Sequence, residues 1–243
     1  MKKSLDKYLL SNEVYKEYMS DTSEIITPEI ITSEIIKPEI ITPEIIKTEI
    51  ITPEKDDSLF WCLYIHKYSE LDYIQIESRY KNREIEEKFK IIEHLKIHSL
   101  KPMKMTKVGT QEIMGDLMTN KTTLYSVNGL CSFYDIHLFI VCEKKKSYIE
   151  YNPGTGTGSI CIIYKNSSLL CEKKTKYSLE LHINDLLISK IKTDYLKFEN
   201  YNKPLRGISS YKLIELELIA KKFSCNEKLK KDELYNMICS KII

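Results

Sequence analysis

The stretch IHLFIVCEKKKSYIEYNPGTGTGSICIIYKN, Ile136 to Asn166, decides the fold class. Its three runs, IHLFIVCE, SYIEYN and SICIIYKN, are rich in β-branched and aromatic residues. A KKKS turn and a PGTGTGS loop separate them, which is the punctuation of successive strands. YSLELHIN, Tyr177 to Asn184, supplies a fourth. Upstream the apolar rhythm lengthens. SLFWCLYIHKY, Ser58 to Tyr68, is a dense apolar run preceded by Asp56 and Asp57, so a buried helix is predicted with Asp57 or Ser58 as its cap. Between Tyr73 and His98, residues Ile85, Phe89, Ile92 and Leu95 recur at helical spacing amid charges, the mark of an amphipathic helix exposing one face. TQEIMGDLMTN and TLYSVNGLCSFY add two shorter helices. Helices followed by strands imply an α+β domain with a largely antiparallel sheet, spanning residues 56–200.

In front of this domain stands a near-perfect pentapeptide repeat. EII units begin at Glu24, Glu29, Glu34, Glu39, Glu44 and Glu49. A period of five keeps neither a helix face nor a strand face apolar, and Pro28, Pro38, Pro43 and Pro53 each remove a backbone donor. Residues 1–55 therefore read as an extended, disordered arm whose Ile-Ile pairs could add to an exposed sheet edge on a partner. Leu5 to Tyr18 reads as a weak amphipathic helix ahead of it. Behind the domain, residues 201–243 hold two helices. SSYKLIELELIAKKFSC places Leu213, Leu216, Ile219 and Phe223 on one face, opened by Ser209 or Ser210, and KLKKDELYNMICSKII turns Leu234, Met237 or Ile238, and Ile242 inward. So short a pair is near the limit of independent folding and is expected to lean on the core.

The net charge of +2 hides an asymmetry. Ser23 to Glu54 carries seven Glu against two Lys, so the rest of the chain is +7. That is mildly basic, short of what an obligate nucleic-acid binder carries. No apolar run approaches a membrane span, so no membrane partner is expected. Seven cysteines, at 62, 131, 142, 161, 171, 225 and 239, include no CxxC pair, which speaks against a disulfide framework or a zinc ribbon and for an intracellular setting. No metal or other cofactor is expected, since His94 and His98 at i and i+4 lack nearby Cys or Asp partners. PGTGTGS matches neither phosphate-binding pattern, and no helix follows it.

Two sets of residues could carry function. Cys62 sits about one turn inside a predicted helix N-terminus, where the macrodipole favours a thiolate. His137 opens the first strand, and Glu150 or Asn152 ends the strand paired with it, close enough to orient an imidazole. Against this, FWCLYI is also what a core helix looks like. The second set is basic: Lys203 to Ile243 holds nine basic and five acidic residues, with Lys228, Lys230 and Lys231 before the last helix and Lys212 before the helix preceding it.

The order of helix-borne Cys62, strand-borne His137 and a neighbouring Glu150 or Asn152 resembles the papain-like cysteine peptidases, including the ovarian-tumour deubiquitinases. That resemblance spans Asp57 to Asn184 and implies a cysteine hydrolase acting on a polypeptide or ubiquitin-like substrate. Trp61 precedes Cys62 here, whereas papain-type enzymes place tryptophan after the cysteine. YKLIELELIAKKF and KKDELYNMICSKI resemble the helix-extension-helix modules of the SAP motif and the Rho terminator N-terminus. This implies DNA or RNA binding, with Lys212, Lys228, Lys230 and Lys231 meeting phosphates. The repeat, the SLFWC helix, LCSFYDIHLFIV, the YIEY strand and the basic terminal pair together resemble uncharacterised proteins of large nucleocytoplasmic DNA viruses, which implies a host-cytoplasmic or virion location. A non-enzymatic nucleic-acid-associated or scaffold role is the alternative to the hydrolase.

Overall fold

A computed structural model describes residues 49–98, 100, 107–154, 158–167, 175–199, 203–225 and 229–242. Of the arm expected to be disordered over residues 1–55, residues 1–48, with the helix expected at Leu5 to Tyr18, lie outside the described residues. Residues 49–55 are ordered, and Ile50–Ile51 pair with the sheet, so the expected boundary at residue 56 is corrected to one before Glu49. In chain order the elements are strand β1 (Ile50–Ile51), then helices α1 (Ser58–Tyr68), α2 (Glu70–Gln75), α3 (Tyr80–Ile97), α4 (Thr110–Leu117) and α5 (Val127–Tyr134). Strands β2 (Ile136–Cys142), β3 (Ser147–Tyr151), β4 (Ser159–Lys165) and β5 (Tyr177–Glu180) follow. Helix α6 (Asp185–Asp194), strand β6 (Leu196–Lys197), helix α7 (Leu213–Lys222) and helix α8 (Lys231–Ile242) complete the fold.

The class is α+β as expected, but the sheet is mixed. Its order is β1-β5-β4-β2-β3-β6, with β2–β4 and β3–β6 parallel and the other three pairings antiparallel. The correction has a local cause. The β2–β3 hairpin returns the chain to the start of β2, where Tyr151 opposes Leu138. Instead of continuing the meander, β4 starts on the far side of β2, its Ser159 amide donating to the Asp135 carbonyl at 3.2 Å, and so runs parallel to it. Gly158 is needed there: a Cβ on it would stand 2.7 Å from the Asp135 carbonyl oxygen.

Strands covered on both faces read as continuous apolar runs, which is why IHLFIVC and ICII lack alternation. Leu138, Ile140, Cys142, Ile149, Tyr151, Cys161, Ile163 and Leu179 face the large core with α1. Phe139, Val141, Tyr148 and Ile162 face the other way, against Leu187 and Ile191 of α6. Helix α1 is buried from Ser58 to Ile65, apolar all round as a central helix must be. The terminal pair is continuous with this core: Leu216 and Ala220 of α7 and Leu234, Ile238 and Ile242 of α8 belong to the same buried cluster as α1.

Two details of the helices depart from the sequence reading. Helix α3 buries Glu87, Lys88, Ile91, Ile92 and Leu95, while Ile85 and Phe89 are exposed. The cause is polar. Lys88 is drawn in by the carboxylate of Asp57, and Glu87 accepts the hydroxyls of Tyr68 at 2.5 Å and Tyr134 at 3.4 Å. Helix α7 starts after Lys212, with Ser209 and Ser210 in a preceding 3-10 turn, and Leu213 is exposed.

Candidate functional site

Asp57 caps α1 by accepting the Phe60 amide at 3.3 Å, and so places Cys62 inside the first turns of the helix. The same packing shields it from solvent altogether: Cys62 has no exposed surface. Burial, with the negative charge of Asp57 adding to it, pushes the thiol well above its ordinary pKa. Desolvation thus outweighs any help from the helix dipole, because a thiolate there would be buried beside the Asp57 carboxylate. Cys62 packs with Cys131 and Cys161 in the large core. His137 lies on the other side of the sheet. Side chains alternate along β2, so His137 shares the face of Phe139, its ring 4.8 Å from the Phe139 ring, while Leu138 and Ile140 share the face of α1. The expected pairing of Cys62 with His137 is therefore corrected: the sheet stands between them.

The second half of that expectation holds in part. Nε2 of His137 donates to Glu150 Oε1 at 2.9 Å across the β2–β3 hairpin. Lys197 of β6 donates to the other carboxylate oxygen of Glu150. Burial alone would raise the Glu150 pKa, but these two donors outweigh it and hold the carboxyl below its ordinary 4.5. Asn152 does not orient the imidazole. It accepts the Gly154 amide at 2.8 Å and shapes the turn after β3. The result is an oriented histidine with a charged partner, and among the described residues no cysteine hydrogen-bonds it.

Two further clusters went unread in the sequence. His66 at the end of α1 pairs with the Ser159 hydroxyl at 2.9 Å, and burial, aided by the charge on Lys67, lowers its pKa from 6.5. The signal is spatial, since the pair is far apart in sequence. Between α3 and α4 a cleft of about 570 Å³ is lined by Ile85, Phe89 and Met118 above the Lys88 ammonium. Lys88 holds Asp57 and Glu84 at 2.7 Å each, and Asp57 also accepts the Thr122 amide and hydroxyl at 2.8 and 2.7 Å. Burial alone would lower the Lys88 pKa, but the two carboxylates raise it, so the ammonium in the cleft floor is fully engaged in an ion cluster rather than free to react.

The basic terminal residues are arranged differently from the buried clusters. Lys212 and Lys230 are exposed and Lys231 is half-buried, while Lys228 lies outside the described residues. The acids beside them turn inward on the backbone. Glu215 accepts the Lys212 amide at 2.6 Å, and Glu233 accepts the Lys230 amide at 2.9 Å, each closing a helix N-terminus. Among the described residues no carboxylate forms an ion pair with Lys212, Lys230 or Lys231. Also among the described residues, no group of three His, Cys, Asp or Glu side chains could hold a metal ion, and no helix is long and apolar enough to cross a membrane. No protein-family model, curated protein or solved structure matches this chain.

Proposed function

We propose that this protein is a non-enzymatic, nucleic-acid-associated protein that meets the phosphate backbone through Lys212, Lys230 and Lys231 at the starts of α7 and α8. The observation that supports it is the division of labour just described. Glu215 and Glu233 accept helix N-terminal amides, and among the described residues the three ammonium groups have no ion-pair partner, while Leu216, Ala220, Leu234, Ile238 and Ile242 of α7 and α8 are committed to the core. Binding of this kind is driven by counterion release and carries no sequence preference. The hydrolase reading loses its nucleophile, since Cys62 is buried on the opposite face from His137.

The test is fluorescence anisotropy of the full chain with short labelled single strands and duplexes. Three phosphate contacts give a log–log salt slope near −2.7 on duplex, so affinity should fall about 40-fold between about 50 and about 200 mM salt. Replacing Lys212, Lys230 and Lys231 together by Glu should remove the binding. Salt-independent affinity, or full binding in the triple variant, would overturn the proposal.

A further inference from the structure

The last repeat unit is described, and it is seated in the sheet as strand β1. Every residue of it is engaged, with Ile51 and Pro53 covered and Glu49, Ile50 and Thr52 at the surface. The Glu49 amide donates to Glu180 Oε1 at 3.0 Å, its carbonyl accepts the Leu181 amide at 2.8 Å, and its carboxylate meets Nε2 of His182 at 2.9 Å. Ile50 opposes Glu180 and Ile51 opposes Leu179, with Ile51 packed against the large core. The Thr52 hydroxyl lies 2.7 Å from that of Ser178, and Pro53 is buried. The edge of β5 therefore reads the pentapeptide EIITP.

That pentapeptide occurs three times, at residues 24–28, 39–43 and 49–53. The other units read EIITS, EIIKP and EIIKT, and each lacks the threonine, the proline or both. Every side chain that touches the β5 edge in the seated unit is thus present again ten residues upstream. We infer that the β5 edge is a receptor for EIITP, and that Glu39–Pro43 of the same chain is its second occupant, in exchange with Glu49–Pro53. The contacts being equal, loop closure sets the balance. With Glu49–Pro53 seated, three residues lead to the cap at Asp57; with Glu39–Pro43 seated, thirteen do. Closure entropy that scales with the three-halves power of loop length makes the longer arrangement about tenfold less populated. The arm can thereby pay out ten residues of slack without altering the pairing that ends it.

Thiol trapping in the full chain reads the exchange. Thr52→Cys with Ser178→Cys should form an intrachain disulfide readily, since the two positions face each other in the seated strand. Thr42→Cys with Ser178→Cys should form one about ten times more slowly. Adding Ile51→Asp, which unfits the seated unit, should raise that rate about tenfold, and adding Ile41→Asp as well should abolish it. Peptide mapping identifies the bond, and single-cysteine variants control for the native thiols. No rise with Ile51→Asp, or a bond indifferent to Ile41→Asp, would overturn the inference. A dimer-sized product on a non-reducing gel would overturn the same-chain occupant in favour of a second copy.

Discussion

Asp57 joins three parts of the molecule, and its removal can be worked through from the structure. Its side chain is 1% exposed and caps α1, neutralises Lys88 of α3 at 2.7 Å, and accepts both the amide and the hydroxyl of Thr122. Asp57→Ala abolishes a cap worth about 1 kcal/mol. It also leaves Lys88, 6% exposed, with Glu84 as its one charged partner, and breaking a buried pair in this way costs about 3–5 kcal/mol. Because the two losses share one carboxylate, they do not simply add, and a total near 4 kcal/mol is expected. Lys88→Met leaves Asp57 satisfied by Thr122 and the Phe60 amide and strands only Glu84, whose side chain is 14% exposed and reaches solvent, so its loss should be smaller, about 2 kcal/mol. Asp57→Asn with Lys88→Met keeps the Phe60 cap but turns an amide NH2 onto the Thr122 N–H and leaves Glu84 without its ammonium, so it should not restore the natural stability and should lose about 3 kcal/mol. The assay is urea unfolding followed by the fluorescence of Trp61, the only tryptophan, fully buried in the same helix. A loss below about 1 kcal/mol for Asp57→Ala, the worth of a surface pair, would refute the reasoning, as would single losses that sum without coupling.

Cys62 should resist alkylation in the folded protein and react at the rate of unfolding; rapid native labelling at neutral pH would show that the thiol is not sealed in the core. Glu150 and His66 both have folded pKa values below their ordinary ones, so each contributes stability that is present above the ordinary value and lost as pH falls through the lowered one. Thermal melts should therefore weaken first below pH 6.5 and again below 4.5, and Glu150→Gln should flatten the second decline while leaving the first. Gly158→Ala drives a methyl onto the Asp135 carbonyl and should cost about 1–3 kcal/mol. Gly115→Ala, in the open on α4, should add about 0.5–1 kcal/mol, and a reversal of that order in urea melts would contradict the close approach of β4 to Asp135.

The helices and the strand runs were legible because their signals are local. Asp57 as a cap, the all-apolar SLFWCLYI and the β-branched runs each declare an element without reference to the rest of the chain. Helix α6 was equally legible and went unread: Asn184 caps it by accepting the Leu187 amide at 2.8 Å, a side-chain type that favours this position. Strand order was not legible, since nothing in KKKS or PGTGTGS says on which side of β2 the next strand will lie. The rotation of α3 was hidden for a related reason. Its inward face is chosen by Asp57, Tyr68 and Tyr134, residues remote in sequence, over the apolar stripe of Ile85 and Phe89. The same separation explains the candidate site. The hairpin partner of His137 follows from adjacency across a turn, so Glu150 was found. The face of the sheet to which Cys62 belongs depends on how a helix far upstream docks, and no spacing in the sequence encodes that.

The two outer strands of the sheet, β1 and β6, are only two residues long. A brief border offers little template for further pairing, and Lys197 places a charge on one of them, a common defence against uncontrolled growth. That defence has particular value in a chain whose sequence repeats the EII unit five more times, since apolar β-branched pairs are the sequence type that open edges recruit. By ending the sheet with a unit of its own repeat, the protein occupies the place where polymerisation would begin, and the prolines spaced along the arm deny the remaining units the length a fibril requires.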